Sequence, residues 1–381
     1  MFEAFGVTPV INAAGTVTRL SGGIMAPEVA AAMTAASAAC FDITDLQAAA
    51  SREIARATRA EAGIVTSGAS AALLLGAAAC LARLDPGAMN RLPDTDREIV
   101  VLRGQRNMYD RALRVAGARI VEVGIPDRHA GPGMRDAAAW EVAEAIGPRT
   151  AAIHWLAGAG SEPPLGQVVR VAREAGVPVL VDAAAQLPPA ANLRRFVEEG
   201  ADLVCFSGGK AVGGPQASGI LAGRRDLVSS ALAQMLDLDL PEESFAPPPE
   251  FAPLGQMRGL PHHGIGRSCK AGKEEIVGLL TALRRFVEED AAARTARLRA
   301  RLDALGDVPA AEVAEGEVPL MLVRLPSAQA AREADARLRA GRPAVHVGMG
   351  RWREGVLVIH PAALSERDLP ALAAALRRAL G

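Results

Sequence analysis

From residue 98 to residue 222 the chain alternates short, continuous apolar runs with stretches whose apolar positions recur three and four residues apart. The continuous runs predict strands over 98–102, 119–123, 150–156, 177–182, 201–207 and 218–222. The helical spacing predicts helices over 109–116, 136–146, 168–175 and 193–199. Strands apolar on both faces, set between amphipathic helices, predict an α/β fold with a mostly parallel sheet covered on both sides. Such sheets bind ligands beyond the carboxyl ends of their strands.

Upstream, residues 1–24 read as extended, with Asn12, Gly15, Gly22 and Gly23 marking turns. Pro27 opens a helix running to residue 40, and a second helix covers 46–59; the apolar stripes of both suit either their own core or a partner subunit. Between 64 and 84, an apolar run, the small-residue turn Thr66-Ser67-Gly68-Ala69-Ser70 and an uninterrupted helix former predict strand, turn and helix. Residues 236–262, with Pro247-Pro248-Pro249, read as a long irregular excursion over the surface. A single helix over 273–305 then leads to strands at 320–325 and 356–360 and helices at 328–340 and 366–380. The 381 residues exceed the roughly 250–300 that one core sustains. The expected division is an N-terminal arm at 1–45, a large α/β domain at 46–272, a linking helix at 273–305 and a small α+β domain at 306–381.

Composition removes several classes of function. A formal charge of −1 and an aromatic content of 3% suit neither a phosphate backbone nor a stacking platform for single strands, so no nucleic-acid partner is expected. No apolar run is long enough for a membrane span and the start has no basic region ahead of an apolar segment, so the expectation is a cytoplasmic protein with no membrane partner. The cysteines Cys40, Cys80, Cys205 and Cys269 are widely separated, and His262-His263 has no acidic neighbours in ligand spacing, so no metal site is expected.

Lysine changes the picture most. Only Lys210, Lys270 and Lys273 among the 42 basic residues are lysines. Lys210 stands among glycines just beyond a predicted strand, and a primary amine can form a Schiff base where arginine cannot. The plain alternative is a surface cation on a turn. Asp182 ends another apolar strand, 28 residues earlier, with one helix and one strand between them to return the chain to the same edge. The helix start after Gly68 either holds a phosphate on its free N–H groups or is simply capped by Ser67 or Ser70. Phosphate turn, aspartate and lysine in that order meet the needs of pyridoxal 5'-phosphate, whose ring nitrogen is kept protonated by a carboxylate.

The segments TSGASAALLL, VDAAAQLPP, FSGGK and GIGRSCKAGKEEIVGLL resemble the selenocysteine-synthase-like family of pyridoxal-phosphate enzymes. The likeness begins at VINAAGTVTRLSGG and is dense to Leu280; beyond it only the general layout agrees. The resemblance implies an aspartate-aminotransferase-like fold of type I, with a seven-stranded sheet, a small C-terminal domain and at least a homodimer. It implies Lys210 as the Schiff-base lysine and Asp182 as the ring-nitrogen partner. It places Gly68, Ala69, Ser70 and Ser207 at the phosphate, and Ala184 and Gln105 on the ring faces. Relatives often carry histidine where this chain has Gln105, which points to a different reaction or substrate. His154 either bonds the phenolic oxygen or is a core histidine; Tyr109 lines the site or caps its helix. Arg19 and Arg267 bind a substrate carboxylate or phosphate, or are surface arginines. Lys270 and Lys273 belong to a helix start or reach a partner subunit's phosphate.

The activity expected is an ammonia-lyase that takes a hydroxylated amino acid or amino-sugar acid to a 2-oxo acid. A racemase or aldolase is the alternative. A selenocysteine-synthase-type transferase ranks below both, because the family-like core begins within the first residues with no tRNA-binding region before it. A catalytically dead relative would have no use for Lys210 and Asp182.

Overall fold

The computed structural model describes residues 2–127 and 135–380. Its contacts divide the chain into two compact units, one of Pro27–Gly208 and Ala217–Arg284, the other of Met1–Ala26, Gly209–Gln216 and Arg285–Gly381. The strands, in chain order, begin with β1 (Ile11–Ala13) in the N-terminal segment. The main sheet follows as β2 (Ala62–Thr66), β3 (Glu98–Leu102), β4 (Arg119–Val123), β5 (Thr150–Leu156), β6 (Val179–Asp182), β7 (Leu203–Ser207) and β8 (Gly219–Gly223). The C-terminal part holds β9 (Ala311–Ala314), β10 (Leu320–Arg324), β11 (Val345–Val347) and β12 (Val356–Ile359).

The larger unit carries a seven-stranded sheet in the order β2-β8-β7-β6-β5-β3-β4. All neighbours are parallel except β8, which is antiparallel to both β2 and β7. The reason is the connection: residues 208–218 contain no helix, and a parallel return requires a crossover of a dozen residues or more. The mostly parallel sheet expected from the apolar runs is thus present, and the bounds of β3, β4 and β5 coincide with those expected.

Of the helices, α1 (Pro27–Ser37), α2 (Ile43–Thr58) and α3 (Ala69–Ala82) come first. Helix α3 lies against β5, β6, β7 and β8 and is buried without interruption from Ala72 to Ala82. Its alanines and Gly76 allow this close approach; a Cβ at Gly76 would already touch Leu180 Cδ1 at 3.0 Å. The helix Arg225–Met235, which the apolar pattern does not reveal, is buried at every position from Leu227 to Met235, so it has no amphipathic stripe to read. The excursion at 236–262 is less of a surface loop than expected: its short turn Pro249–Gln256 sinks Phe251 and Leu254 into the core of this unit.

The smaller unit pairs β1 with β11 in parallel and arranges β12-β10-β9 antiparallel. Its core includes Leu302, Val323, Val345, Leu372 and Leu376. A three-residue strand such as β1 is too short to show alternation, which is why the extended start gave no strand. The single helix expected over 273–305 is instead two, Lys273–Glu288 and Ala291–Asp303. Asp290 breaks it by turning to an extended φ/ψ and accepting the Ala293 N–H at 2.9 Å as an N-cap.

Candidate active site

Because β8 is antiparallel to both its neighbours, β2 to β7 all run the same way, and Thr66, Leu102, Val123, Leu156, Asp182 and Ser207 mark one edge of the sheet. The turn from β2 into α3 stands at that edge. Gly68 is its N-cap, with φ 114° and no side-chain cap bond, a backbone conformation that side chains rarely adopt. A Cβ at Gly68 would meet nothing within 4 Å, so the backbone is bare there. The first-turn N–H groups of Ala69, Ser70 and Ala71 have no intrahelical acceptor and sit at the positive end of the helix dipole. Thr66 Oγ1 donates to the Gly68 carbonyl at 2.9 Å, and Ser67 N–H to the Cys269 carbonyl at 3.2 Å, holding the turn from both sides. Gly219, which pairs with both Thr66 and Ser207, is pressed against Gly68 so closely that any side chain would overlap it. Ser207, half-buried, therefore lies one strand away from the turn.

Asp182 is only 5% exposed. Its Oδ1 accepts the Ala184 N–H at 3.0 Å and faces the Cys205 thiol at 3.5 Å; among the described residues Oδ2 takes no hydrogen bond. Ala184 is half-buried beside it. His154 is two residues before Leu156, which pairs with Asp182, so His154 and Asp182 share one face of the sheet. The imidazole is 1% exposed, and among the described residues neither ring nitrogen has a hydrogen-bond partner. Burial pushes its pKa below the ordinary 6.5 against the pull of the Asp182 and Asp110 charges, which favours the neutral ring.

Gln105 is buried at the neighbouring strand end and both ends of its amide are used. Its Oε1 accepts the Leu156 N–H at 2.8 Å, and its Nε2 donates to the Glu162 carbonyl at 3.3 Å. The turn after β5 is clamped further: Ser161 Oγ donates to the Leu156 carbonyl and Gln186 Nε2 to the Ala157 carbonyl, each at 2.8 Å, and Ala157 N–H donates to the Asp182 carbonyl at 2.9 Å.

Gly68, Ala69, Ser70, Gln105, His154, Asp182, Ala184 and Ser207 are thus gathered by one unit along one edge. Lys210 stands in the loop between β7 and β8, half-buried, and belongs with Arg19 to the smaller unit. Tyr109 is 56% exposed in a short turn capped by Asn107. Arg267 is engaged elsewhere: it pairs with Asp237 at 3.0 Å and, with Lys270, lines a separate cavity of about 580 Å³ against Ile43, Leu238 and Phe245. Lys273 donates to the carbonyls of Ser37, the last residue of α1, and of Ala39 just beyond it, a structural use. Cys205 and Gln186 were not singled out from the sequence. Their part depends on strand register, and nothing in a linear pattern sets Cys205 opposite Asp182. Burial pushes Cys80 up to about 12 and raises Cys269, which leaves neither as a thiolate nucleophile.

Among the described residues no group of three or more His, Cys, Asp or Glu could hold a metal ion, and no helix is long and apolar enough to cross a membrane. A solved structure of D-glucosaminate-6-phosphate ammonia-lyase superposes on the chain with a TM-score of 0.80 at 28% identity, covering 99% of this chain and 97% of that one. The architecture is that of an aspartate-aminotransferase-like pyridoxal-phosphate enzyme of fold type I, and the cofactor is pyridoxal phosphate. The edge fits that group: a bare helix N-terminus suits its phosphate, and a buried carboxylate with Oδ2 to spare suits a protonated ring nitrogen.

The chain belongs to the SelA family, whose model, described as L-seryl-tRNA selenium transferase, matches residues 10–239. Among curated relatives it is 32% identical to 5'-C-glycyluridine monooxygenase-decarboxylase of Streptomyces sp, over 96% of this chain and 88% of that protein. It is 29% identical to D-glucosaminate-6-phosphate ammonia lyase of Salmonella typhimurium, over 99% of this chain and 97% of that protein.

Proposed function

We propose that this enzyme is an ammonia-lyase that removes the amino group and a β-hydroxyl from a hydroxylated amino acid or amino-sugar acid, such as a D-glucosaminate phosphate. The observation that carries this reading is the near end-to-end likeness, in sequence and in fold, to proteins of that name. Water lost from the β-carbon is regained on hydrolysis, so the net products are a 2-oxo acid and ammonia.

When bound, the cofactor supplies an electron sink for the carbanion formed at Cα. The chain does the rest. Lys210 provides the amine that anchors the cofactor and then carries the α-proton. Asp182 holds the proton on the ring nitrogen through Oδ2, its other oxygen being occupied by Ala184 and Cys205. Gly68, Ala69 and Ser70, with Ser207, hold the phosphate. Ala184 and Gln105 flank the ring, and because the Gln105 amide is already bonded at both ends it can present only its flat face or its methylenes. The shared face of His154 and Asp182 favours a place for the histidine beside the carboxylate over a contact with the phenolic oxygen. Arg19, Tyr109 and Arg267 are the substrate-facing candidates; the Asp237 partner of Arg267 makes it the weakest of the three. The working form is a homodimer or higher homo-oligomer, a reading supported by the exposed Phe2, Phe5, Ile24 and Phe41, and its place is the cytoplasm.

The test is release of ammonia and 2-oxo acid from a panel of D- and L-hydroxy amino acids and phosphorylated amino-sugar acids; no ammonia from any of them sinks the lyase reading. A second reading, oxidative decarboxylation of an amino acid, is favoured by the 32% identity to the monooxygenase-decarboxylase. It requires uptake of O2 and release of CO2 in the same assay, which the lyase does not.

A further inference from the structure

We infer that Gln216 is a positioning residue: it latches the N-terminal loop that carries Arg19 onto the segment that carries Lys210, so that the two cationic groups are presented as one piece. The inference rests on the proposed role of Lys210 as the anchoring amine. Its geometry lies wholly within the smaller unit. Gln216 Nε2 donates to Thr18 Oγ1 at 3.1 Å. Gly22, at φ 73°, packs on the same amide so closely that a Cβ there would overlap Gln216 Oε1 and come to 3.5 Å from the Gly209 carbonyl oxygen. Gly209 in turn packs on the Gln216 backbone, where a Cβ would come within 2.8 Å of its Cα. The lysine segment is closed on itself by the Gly213 N–H donating to the Lys210 carbonyl at 3.0 Å.

The other side of the same loop is fastened by Asn12. Its buried Nδ2 donates to the Gly15 carbonyl at 2.9 Å and the Gly22 carbonyl at 2.8 Å, and Asn12 itself is held on β1, opposite His346 of β11. Residues 15–22 therefore form a loop tied to the smaller unit's sheet by Asn12 and to the lysine segment by Gln216. Arg19 sits at its outer turn, exposed and without an acidic partner among the described residues. A free guanidinium on a loop tied to the lysine segment suits the carboxylate of an amino-acid substrate, which must be held at a set distance from the amine. The two glycines let the latch close: Gln216 and Thr18 are both exposed, but a Cβ at Gly22 would overlap the Gln216 amide and one at Gly209 its backbone.

The experiment compares Gln216→Ala, Thr18→Val and the conservative Thr18→Ser with the parent holoenzyme. Loss of one neutral hydrogen bond corresponds to about a fivefold change. Two readouts are taken. The first is the rate of tryptic cleavage after Arg19, scored by the appearance of the fragment starting at Leu20. It is expected to rise about fivefold in Gln216→Ala and Thr18→Val and to stay at the parental rate in Thr18→Ser. The second is titration of the bound cofactor's absorbance band with D- or L-alanine and with ethylamine, which lacks the carboxylate. Half-saturation by alanine is expected to rise about fivefold in the first two variants, and that by ethylamine to stay within about twofold. Unchanged cleavage in both variants overturns the latch. Faster cleavage with alanine and ethylamine shifting together, or neither shifting, overturns the positioning role. If the parent protein shows no cofactor band even after addition of pyridoxal phosphate, it is the role of Lys210 that fails, and the cleavage rates still decide the latch.

Discussion

The Cys205 thiol and Asp182 Oδ1 face each other at 3.5 Å across the paired strands β6 and β7. Together with the Ala184 N–H, the thiol occupies one carboxylate oxygen, while among the described residues the other takes no hydrogen bond. A thiol is a weak donor, so Cys205→Ala should weaken cofactor binding only about threefold, whereas Asp182→Ala, which removes a charge-assisted bond, should cost roughly 100-fold. Equilibrium dialysis against pyridoxal phosphate measures both. Equal losses in the two variants would contradict the assigned division of labour.

Reduction with borohydride should fix the cofactor covalently to Lys210, and peptide mass mapping should find it there and on neither Lys270 nor Lys273. Lys210→Ala should bind cofactor reversibly and lose turnover by several orders of magnitude, since both the anchoring amine and the proton carrier are gone.

Gly219 and Gly68 offer a paired test of the phosphate turn. Gly219→Ala would drive a methyl group into the Gly68 backbone, while Gly68→Ala has open space and meets only the cost of its φ of 114°, about 1–3 kcal/mol. Gly219→Ala is therefore expected to lose cofactor affinity by at least tenfold more than Gly68→Ala, measured by the same dialysis.

His154 has a pH signature. Its folded-state pKa is depressed by burial, so the unfolded chain binds a proton that the native chain refuses once pH falls below the unfolded value of about 6.5. The stability it contributes is complete above that value and is lost as pH falls, with a slope of up to about 1.4 kcal/mol per pH unit for one proton. His346 and His360, also depressed by burial, act in the same direction. Urea unfolding of the cofactor-free protein between pH 7 and 5 should therefore lose stability more steeply in the parent than in His154→Leu; equal slopes would mean that His154 is protonated in the native state.

Gln105→Glu keeps the size and the acceptor of the side chain but removes the donor that meets the Glu162 carbonyl, setting a carboxylate against a lone pair. Destabilisation of about 1–3 kcal/mol is expected, read as a lower urea midpoint at unchanged slope. Gln105→Ala, which frees Leu156 N–H as well, should be at least as damaging.

Much of this fold can be read along the chain. The strands β3 and β5 stand where continuous apolar runs put them, because a strand buried on both faces writes its burial into consecutive residues; β4, at the edge of the sheet, is buried only at Val123 and is marked by Ile120, Val121 and Val123 alone. The Gly68 turn, Asp182 and Lys210 are legible as candidates because each combines an unusual residue type with a place at the end of an apolar run. The two units, by contrast, interleave segments distant in the chain, with Met1–Ala26 and Gly209–Gln216 grouped with the C-terminal residues. The helix Arg225–Met235 and the three-residue β1 escape because one is buried all round and the other is too short for any period.

What the sequence by itself determined is the set of local states and the chemical identities: which runs become strands, where a helix N-terminus opens on glycine, and which residues carry an amine or a carboxylate. Only the tertiary structure decided the neighbours. That Cys205 stands opposite Asp182, that His154 shares its face, that Gln105 is spent on the Leu156 turn and that Gln216 closes on Thr18 all follow from strand order, register and loop closure. Those are set by the packing of the whole core, in which each apolar residue constrains the positions of all the others, and no single stretch of chain carries that information.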